Sequence, residues 1–293
     1  MTGSGEGAEP PAEDGAGRDA RPGESPEAPP EASAGASAGG PPGAQGRFHG
    51  RTAVVTGAAT GIGAATARRL AAEGAAVVVA DVDEERGPLV AQEIRRSGGD
   101  AVFVSADVGQ EDSWRRVLDS AHAYGPVGVL VSNAVRVEVA PAHETSPDSW
   151  NRQLSVGLTA AFLGVRACLE DLRAERGAVV LVSSVHAHRG IPGHPAYAAA
   201  KGGLLSLSGQ LTVEYGPEVR VNTVLPGPVL TGLWDRVPEE ERAASVAETA
   251  AGRFGTPEEV ASAVAYLASP EASYVTGASL LVDGGWSVMK SSA

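Results

Sequence analysis

The chain has 293 residues, of which 43% are hydrophobic and 20% charged, and its formal charge near neutrality is −13. Such a length can bury a core in one or two domains, whereas the acidic balance argues against a nucleic-acid partner or an anionic membrane surface, since both need Lys and Arg against phosphate. A single cysteine, Cys168, excludes an intramolecular disulfide and a cysteine-based zinc site.

Residues 1–46 read as a separate kind of polymer. Between Thr2 and Gly46 there is no Val, Ile, Leu, Phe, Trp or Tyr, and eight acidic residues stand against Arg18 and Arg21. A segment of this kind cannot bury enough apolar surface to offset its chain entropy, so a disordered acidic Pro/Gly/Ala-rich tail is expected. Without an aliphatic or aromatic anchor, an inert extension or a misplaced start is favoured over a partner-binding tail. The N-terminus lacks a basic stretch followed by an apolar one, so it is not read as a secretory signal. No apolar run approaches the ~18 residues of a membrane span. A soluble, cytoplasmic protein with no membrane or nucleic-acid partner is the expectation.

From Arg47 the texture changes. Apolar, β-branched runs recur at Thr52–Thr56, Ala76–Ala80, Ala101–Ser105, Gly128–Ser132, Ala178–Ser183, Val219–Leu225 and Ser279–Val282. They are apolar almost throughout, as strands covered on both faces require. Helix-length stretches lie between them, among them Gly63–Ala72, Glu84–Ser97, Glu111–Tyr124, Ser149–Arg173, Ala196–Tyr215 and Pro257–Ala268. Alternating strands and helices predict a parallel sheet wrapped by helices, as one doubly wound α/β domain over residues 47–293.

The first strand runs into Thr56-Gly57-Ala58-Ala59-Thr60-Gly61-Ile62-Gly63 and then a helix. Glycines at such a junction let the backbone turn tightly and approach a pyrophosphate, which sits on the free N–H groups of the helix start. Gly57, Thr60, Gly61, Ile62 and Gly63 are therefore candidate dinucleotide contacts. Asp81 closes the second apolar run, where a carboxylate can accept the adenosine ribose hydroxyls and repel a 2′-phosphate. No basic residue stands at Thr60 or Val82 to neutralise that phosphate, so NAD is expected over NADP. The plainer reading of Asp81 is a helix N-cap.

Tyr197 and Lys201 lie four apart in an Ala-rich stretch, which puts both on one face of a helix. A free phenol titrates at roughly 10, too high for a base near neutrality, and a lysine cation beside it favours the phenolate. A phenol tuned in this way can give or take the proton of a carbonyl/alcohol pair. Ser184 follows the fifth strand, and its hydroxyl can reach the same oxygen. Singly, each residue is an ordinary helix or loop side chain; their joint spacing carries the reading.

In these features the chain resembles the short-chain dehydrogenase/reductase family over about residues 48–287. The likeness rests on TGAATGIG at 56–63, Asp81, Asp107-Val108, SNA at 132–134, Ser184, the YxxxK of Tyr197 and Lys201, PGPVLT at 226–231, and the block from Arg253 to Gly285. The resemblance implies a Rossmann-type fold with a seven-stranded parallel sheet, nicotinamide-dependent oxidoreduction of alcohols and ketones, and a homotetramer paired through helices at about 149–173 and 195–215. It implies that Asp107 and Val108 flank the adenine, that Asn133 supports the cofactor, and that Pro226, Gly227 and Thr231 edge the nicotinamide. Ser184 would polarise the carbonyl. Tyr197 would be general acid in reduction and general base in oxidation, and Lys201 would hold the nicotinamide ribose and tune the tyrosine.

Two positions depart from the family pattern. Val135 stands where a glycine is usual, and Gly157 replaces an asparagine that helps hold a water linking the lysine to bulk solvent. Glycine offers no amide, so another polar group or water must complete that relay, or turnover is weak and the protein is an NAD(H)-binding sensor. A 3-oxoacyl-thioester reductase is a further alternative; NADPH and a basic patch would suit it, and Asp81 and the acidic composition argue against both.

Substrate contacts are expected from the segment between Ser184 and Tyr197, with His186 and His194 preferred over His188. An H-x-H-x5-H pattern with no carboxylate in the run is poor support for a metal, so none is expected. Residues Val229–Phe254 read as a lid, with Trp234 as an apolar wall or a packing residue and the PEEER run as a solvated face.

Overall fold

The structure, a computed structural model, describes residues 46–289 apart from Arg236; residues 1–45, most of the segment read as a tail, and 290–293 lie outside the described residues. Seven strands form one parallel sheet in the order β3-β2-β1-β4-β5-β6-β7: β1 Thr52–Thr56, β2 Ala76–Asp81, β3 Asp100–Ser105, β4 Val127–Ser132, β5 Ala178–Val182, β6 Arg220–Pro226 and β7 Ser279–Val282. This is the doubly wound Rossmann-type sheet that the sequence predicts. The order reverses between β1 and β4, and a doubly wound sheet opens its ligand crevice at such a reversal, beyond the carboxyl ends of the strands.

The continuous apolar runs are explained by two cores, one on each face of the sheet. Ala53, Val55, Val77 and Val79 point to one face, against Leu70, Val90, Ile94, Val260 and Val264 from helices α1 (Gly61–Ala72), α2 (Arg86–Arg96) and α8 (Pro257–Ala268). Val54, Val78, Leu130, Val179 and Leu181 point to the other. There they meet Trp114, Cys168, Leu204 and Leu211 from α3 (Glu111–His122), α5 (Ala160–Ala174) and α6 (Pro195–Tyr215). Alternate residues of one strand thus serve different layers, and both layers are predominantly apolar. Cys168 is buried, and burial pushes its thiol up to about 12, which makes it inert.

Two elements differ from expectation. The stretch predicted as one helix over 149–173 is α4 (Pro147–Leu154) and α5 joined by a wide π turn at Ser155–Thr159. Gly157 sits in that turn, where a Cβ would stand 3.1 Å from the Cβ of Ala200 on α6. The absent side chain lets the two helices close on each other one residue before Lys201. The second difference is a helix inside the predicted lid, α7 (Glu239–Ala247), which follows Pro238. Three glutamates occupy its first turn, where the positive end of a helix favours them, and none of its residues is buried. No helix among the described residues is long and apolar enough to cross a membrane.

Candidate active site

The glycine-rich turn is built by exclusion. Gly57 has φ +62°, and a Cβ there would lie 2.7 Å from the Cα of Ala134. A Cβ on Gly63 would lie 2.1 Å from the carbonyl oxygen of Gly57. Gly61, at φ +53°, faces Thr231, whose Cγ2 would be 3.3 Å from an added Cβ. The turn delivers the chain to α1, whose N-cap, Thr60, makes no side-chain bond and whose first turn holds no acid. Its leading N–H groups are thus free for an anion. Ile62 is half-buried against the core beneath.

Two side chains hold the turn in place. Asn133 donates its amide to the carbonyls of Thr56 and Gly57, each at 3.0 Å, while its backbone N–H donates to the Thr56 hydroxyl. Asp81 accepts the Ala59 N–H at 2.8 Å and the Asp83 N–H at 3.0 Å. The N-cap of α2 is Glu85, so Asp81 does not cap that helix. At the adjacent crevice wall Asp107 is exposed and accepts the Gly109 N–H, whereas Val108 is 4% exposed and packs in the core. Pro226 ends β6. Gly227 lies so close to Asp283 that a Cβ would come within 2.7 Å of its Cα. Val135 is exposed, at 38%. The chemistry of this turn suits a pyrophosphate: the glycines let backbone pack on backbone, and the start of α1 offers free N–H groups with no acid beside them.

Beside it stand the residues read as catalytic. Ser184 follows β5 in extended conformation, 5% exposed, and its Oγ accepts the His186 N–H at 3.2 Å. Tyr197 lies in the first turn of α6, and Lys201 one turn further on. The Lys201 ammonium donates to the Val182 carbonyl at 2.7 Å, while the Ser183 hydroxyl donates to the Lys201 carbonyl at 2.8 Å. These two bonds sew α6 onto the end of β5 and so fix Tyr197 beside Ser184. Burial pushes the Lys201 amine down to about 8. On the Tyr197 phenol burial is the largest influence and pushes it above its ordinary value, with the nearby Ser184 hydroxyl acting in the opposite direction. The spacing alone suggests that Lys201 lowers the phenol. In the structure its ammonium lies 5.6 Å from the ring centroid and is turned to Val182.

His186 and His194 both stand edge-on to Tyr197, with ring centroids at 6.3 Å and 6.1 Å. Each Nδ1 meets a carbonyl, that of Arg189 at 3.1 Å and that of Pro192 at 2.7 Å. A carbonyl only accepts, so each Nδ1 carries a hydrogen. Burial lowers the His186 pKa, with the neighbouring His194 acting in the same direction. His188 is exposed and outside this group. Trp234 packs edge-on against Phe254 at 4.6 Å, both within the lid. The lid's two ends are pinned by paired bonds, Leu230 N–H to the Gly255 carbonyl and Gly255 N–H to the Pro228 carbonyl. Among the described residues no three His, Cys, Asp or Glu side chains converge as a metal site would need.

Sequence reasoning missed Trp286, whose ring stands 5.6 Å from that of His186. The signal was available: it follows the last strand by four residues, at the carboxyl edge of the sheet where ligands bind.

A family model described as enoyl-(acyl carrier protein) reductase, of the short-chain dehydrogenase/reductase type, matches residues 57–287. The chain belongs to the short-chain dehydrogenase/reductase family. It is 36% identical to the 2,5-dichloro-2,5-cyclohexadiene-1,4-diol dehydrogenase LinX of Sphingobium indicum, over 80% of this chain and 96% of that one. It is 44% identical to the cis-4-hydroxycyclohexanecarboxylate dehydrogenase of Sinomonas cyclohexanicum, over 81% and 96%. Among solved structures, one assigned provisionally as a gluconate dehydrogenase of Agrobacterium tumefaciens superposes with a TM-score of 0.79 at 29% identity, covering 83% of this chain and 98% of that one. As a member of this family, the protein is a nicotinamide-dependent oxidoreductase acting on CH–OH groups.

Proposed function

We propose that this short-chain dehydrogenase/reductase interconverts an alicyclic secondary alcohol and its ketone with NAD, Tyr197 being the proton donor and acceptor. The observation that carries the reading is the placement of the buried Tyr197 phenol by Ser184, one helical turn from the buried Lys201 that ties α6 to the end of β5. The bound nicotinamide supplies the hydride acceptor or donor. Gly57, Gly61, Gly63 and the start of α1 hold the pyrophosphate, Thr231 and Pro226 border the nicotinamide end, and Asn133 keeps the glycine turn in shape. Ser184 and Tyr197 both donate to the substrate oxygen. In reduction Tyr197 passes its proton to that oxygen; in oxidation it takes the proton back. A neutral phenol raised by burial is already the acid that reduction needs. For oxidation the ammonium of Lys201 must turn toward the phenol, and its amine near 8 lets it take up or release a proton near neutrality.

The preference for NAD rests on Asp81, with Asp83 and Glu84 beside it and no cation at Thr60 or Val82. A 2′-phosphate would meet the Asp81 carboxylate there, while the nearby Arg86 guanidinium is engaged by Asp83. The ring character of the alcohol rests on the two relatives named for cyclic alcohols and on the two imidazole rings edge-on to Tyr197. A homotetramer accords with the exposed Phe162 on α5, Val213 on α6 and Leu281 on the edge strand β7, faces that light scattering should find covered. The test of the function is reduction of NAD+ over a panel of cyclic secondary alcohols, with Tyr197→Phe as the blank. Wild-type turnover that the variant lacks is the expected result; equal rates in both would remove Tyr197 from the mechanism.

A further inference from the structure

The segment that follows β7 does more than end the sheet. Gly284 and Gly285 both have positive φ, and Cβ atoms there would lie 3.1 Å and 2.8 Å from the Cβ atoms of Ala251 and Ala250 at the end of the lid. The glycines let this turn press against the lid backbone, and the Ala251 N–H donates to the Gly284 carbonyl at 2.9 Å. Asp283 stiffens the turn by accepting the N–H groups of Gly285 and Ser287, each at 2.9 Å. Trp286 is thereby held with its ring beside His186, which in turn stands beside Tyr197. Its indole N–H donates at 2.9 Å to Glu248, the residue that closes the C-terminus of lid helix α7. One side chain therefore links the histidine beside the phenol to the end of α7, in the segment read as a lid.

We propose that Trp286 determines substrate specificity: its ring walls the cleft beyond His186, and its bond to Glu248 fastens the lid over a ring alcohol. The indole is only half-buried, so part of its apolar face remains for a substrate. A small ring fits between Tyr197 and this wall, whereas a larger fused system meets the indole. The wall's place in specificity rests on the proposed chemistry at Tyr197; the fastening of α7 does not.

Two measurements on the full chain separate these parts. Hydrogen exchange of the α7 amides, Glu239–Ala247, reads the fastening without any turnover. Trp286→Phe and Glu248→Ala each remove the bond and should speed that exchange about fivefold, the factor set by a net hydrogen bond of ordinary strength. Glu248→Gln keeps an acceptor and should exchange like the wild type. Steady-state kinetics on cyclopentanol, cyclohexanol and a hydroxysteroid read the wall. Trp286→Ala should raise KM for the small rings about tenfold with little change in kcat, as expected on losing apolar contact made equally in ground and transition states. It should also improve the steroid relative to them. Unchanged α7 exchange in both bond-breaking variants overturns the fastening, and an unchanged order of kcat/KM in Trp286→Ala overturns the wall. A wild type inactive on every alcohol would sink the proposed function and the wall with it, while the exchange rates would still decide the fastening.

Discussion

Replacing Lys201 by Met should stabilise the protein near neutral pH while abolishing its activity. The lysine is 3% exposed, and its ammonium is held by a backbone carbonyl, that of Val182 at 2.7 Å. Among the described residues no carboxylate pairs with it. Burial lowers its pKa from 10.5 to about 8. At ~1.4 kcal/mol per pH unit, that difference makes the folded ammonium cost about 3 kcal/mol. Methionine removes the cost but leaves the Val182 carbonyl without its donor, a loss of about 1–2 kcal/mol, so a net gain of about 1–2 kcal/mol is expected. The pH dependence is the sharper signature. Below about 8 the folded and unfolded chains both carry the proton, and the cost is felt in full. Between about 8 and 10.5 the folded lysine is neutral while the unfolded one is still charged. The unfolded chain then binds more protons, so wild-type stability rises with pH through this window. Methionine has no such slope, so the variant's advantage should shrink and then reverse by about pH 10. Urea unfolding of both proteins without cofactor, at one protein concentration and several pH values, measures the difference directly. A variant less stable than wild type by the same amount at every pH would refute the reasoning, because it would mean that packing rather than charge burial governs the site.

Asp81→Ala removes both the acceptor that holds the Ala59 N–H and the carboxylate that disfavours a 2′-phosphate. KM for NAD should rise about tenfold or more and the preference over NADP should narrow, as parallel kinetics with both cofactors would register. Gly63→Ala forces a Cβ to within 2.1 Å of the Gly57 carbonyl oxygen, so the turn must open. NADH titrations by fluorescence should show binding at least about tenfold weaker, a loss of ~1.4 kcal/mol. Gly157→Asn restores an amide at the π turn, at the cost of a 3.1 Å approach to Ala200 that α6 must relieve by a small shift. The pH profile of kcat should move, because Ala200 adjoins Lys201; an unchanged rate and profile would exclude position 157 from proton traffic.

The strands and most helices were legible because a sheet covered on both faces demands unbroken apolar runs, and the doubly wound order demands helices between them. Strands Thr52–Thr56 and Ser279–Val282 and helix Pro257–Ala268 fall where the runs place them. The turn before α1 was legible because only glycine fits where backbone meets backbone. The π turn at Ser155–Thr159 was not, since its helical neighbours read as one continuous stretch. Gly157 in that turn lies against Ala200 of α6, a contact between segments some 40 residues apart in the chain. Helix α7 was missed because its run of glutamates reads as solvated surface, which it also is.

The sequence by itself determined the chemistry on offer: a phenol and a lysine one turn apart, a serine at a strand end, a carboxylate at the end of β2, and a glycine-rich turn before a helix. These are local patterns, and the spacing of a helix or a strand converts them to geometry. Only the tertiary structure decided which groups surround the phenol and how strongly. It withdrew Lys201 to the Val182 carbonyl, made burial the dominant influence on Tyr197, set two histidines edge-on to it, and brought Trp286 across from the far edge of the sheet. Burial and long-range packing depend on where the whole chain passes, and no stretch of residues read alone carries that information.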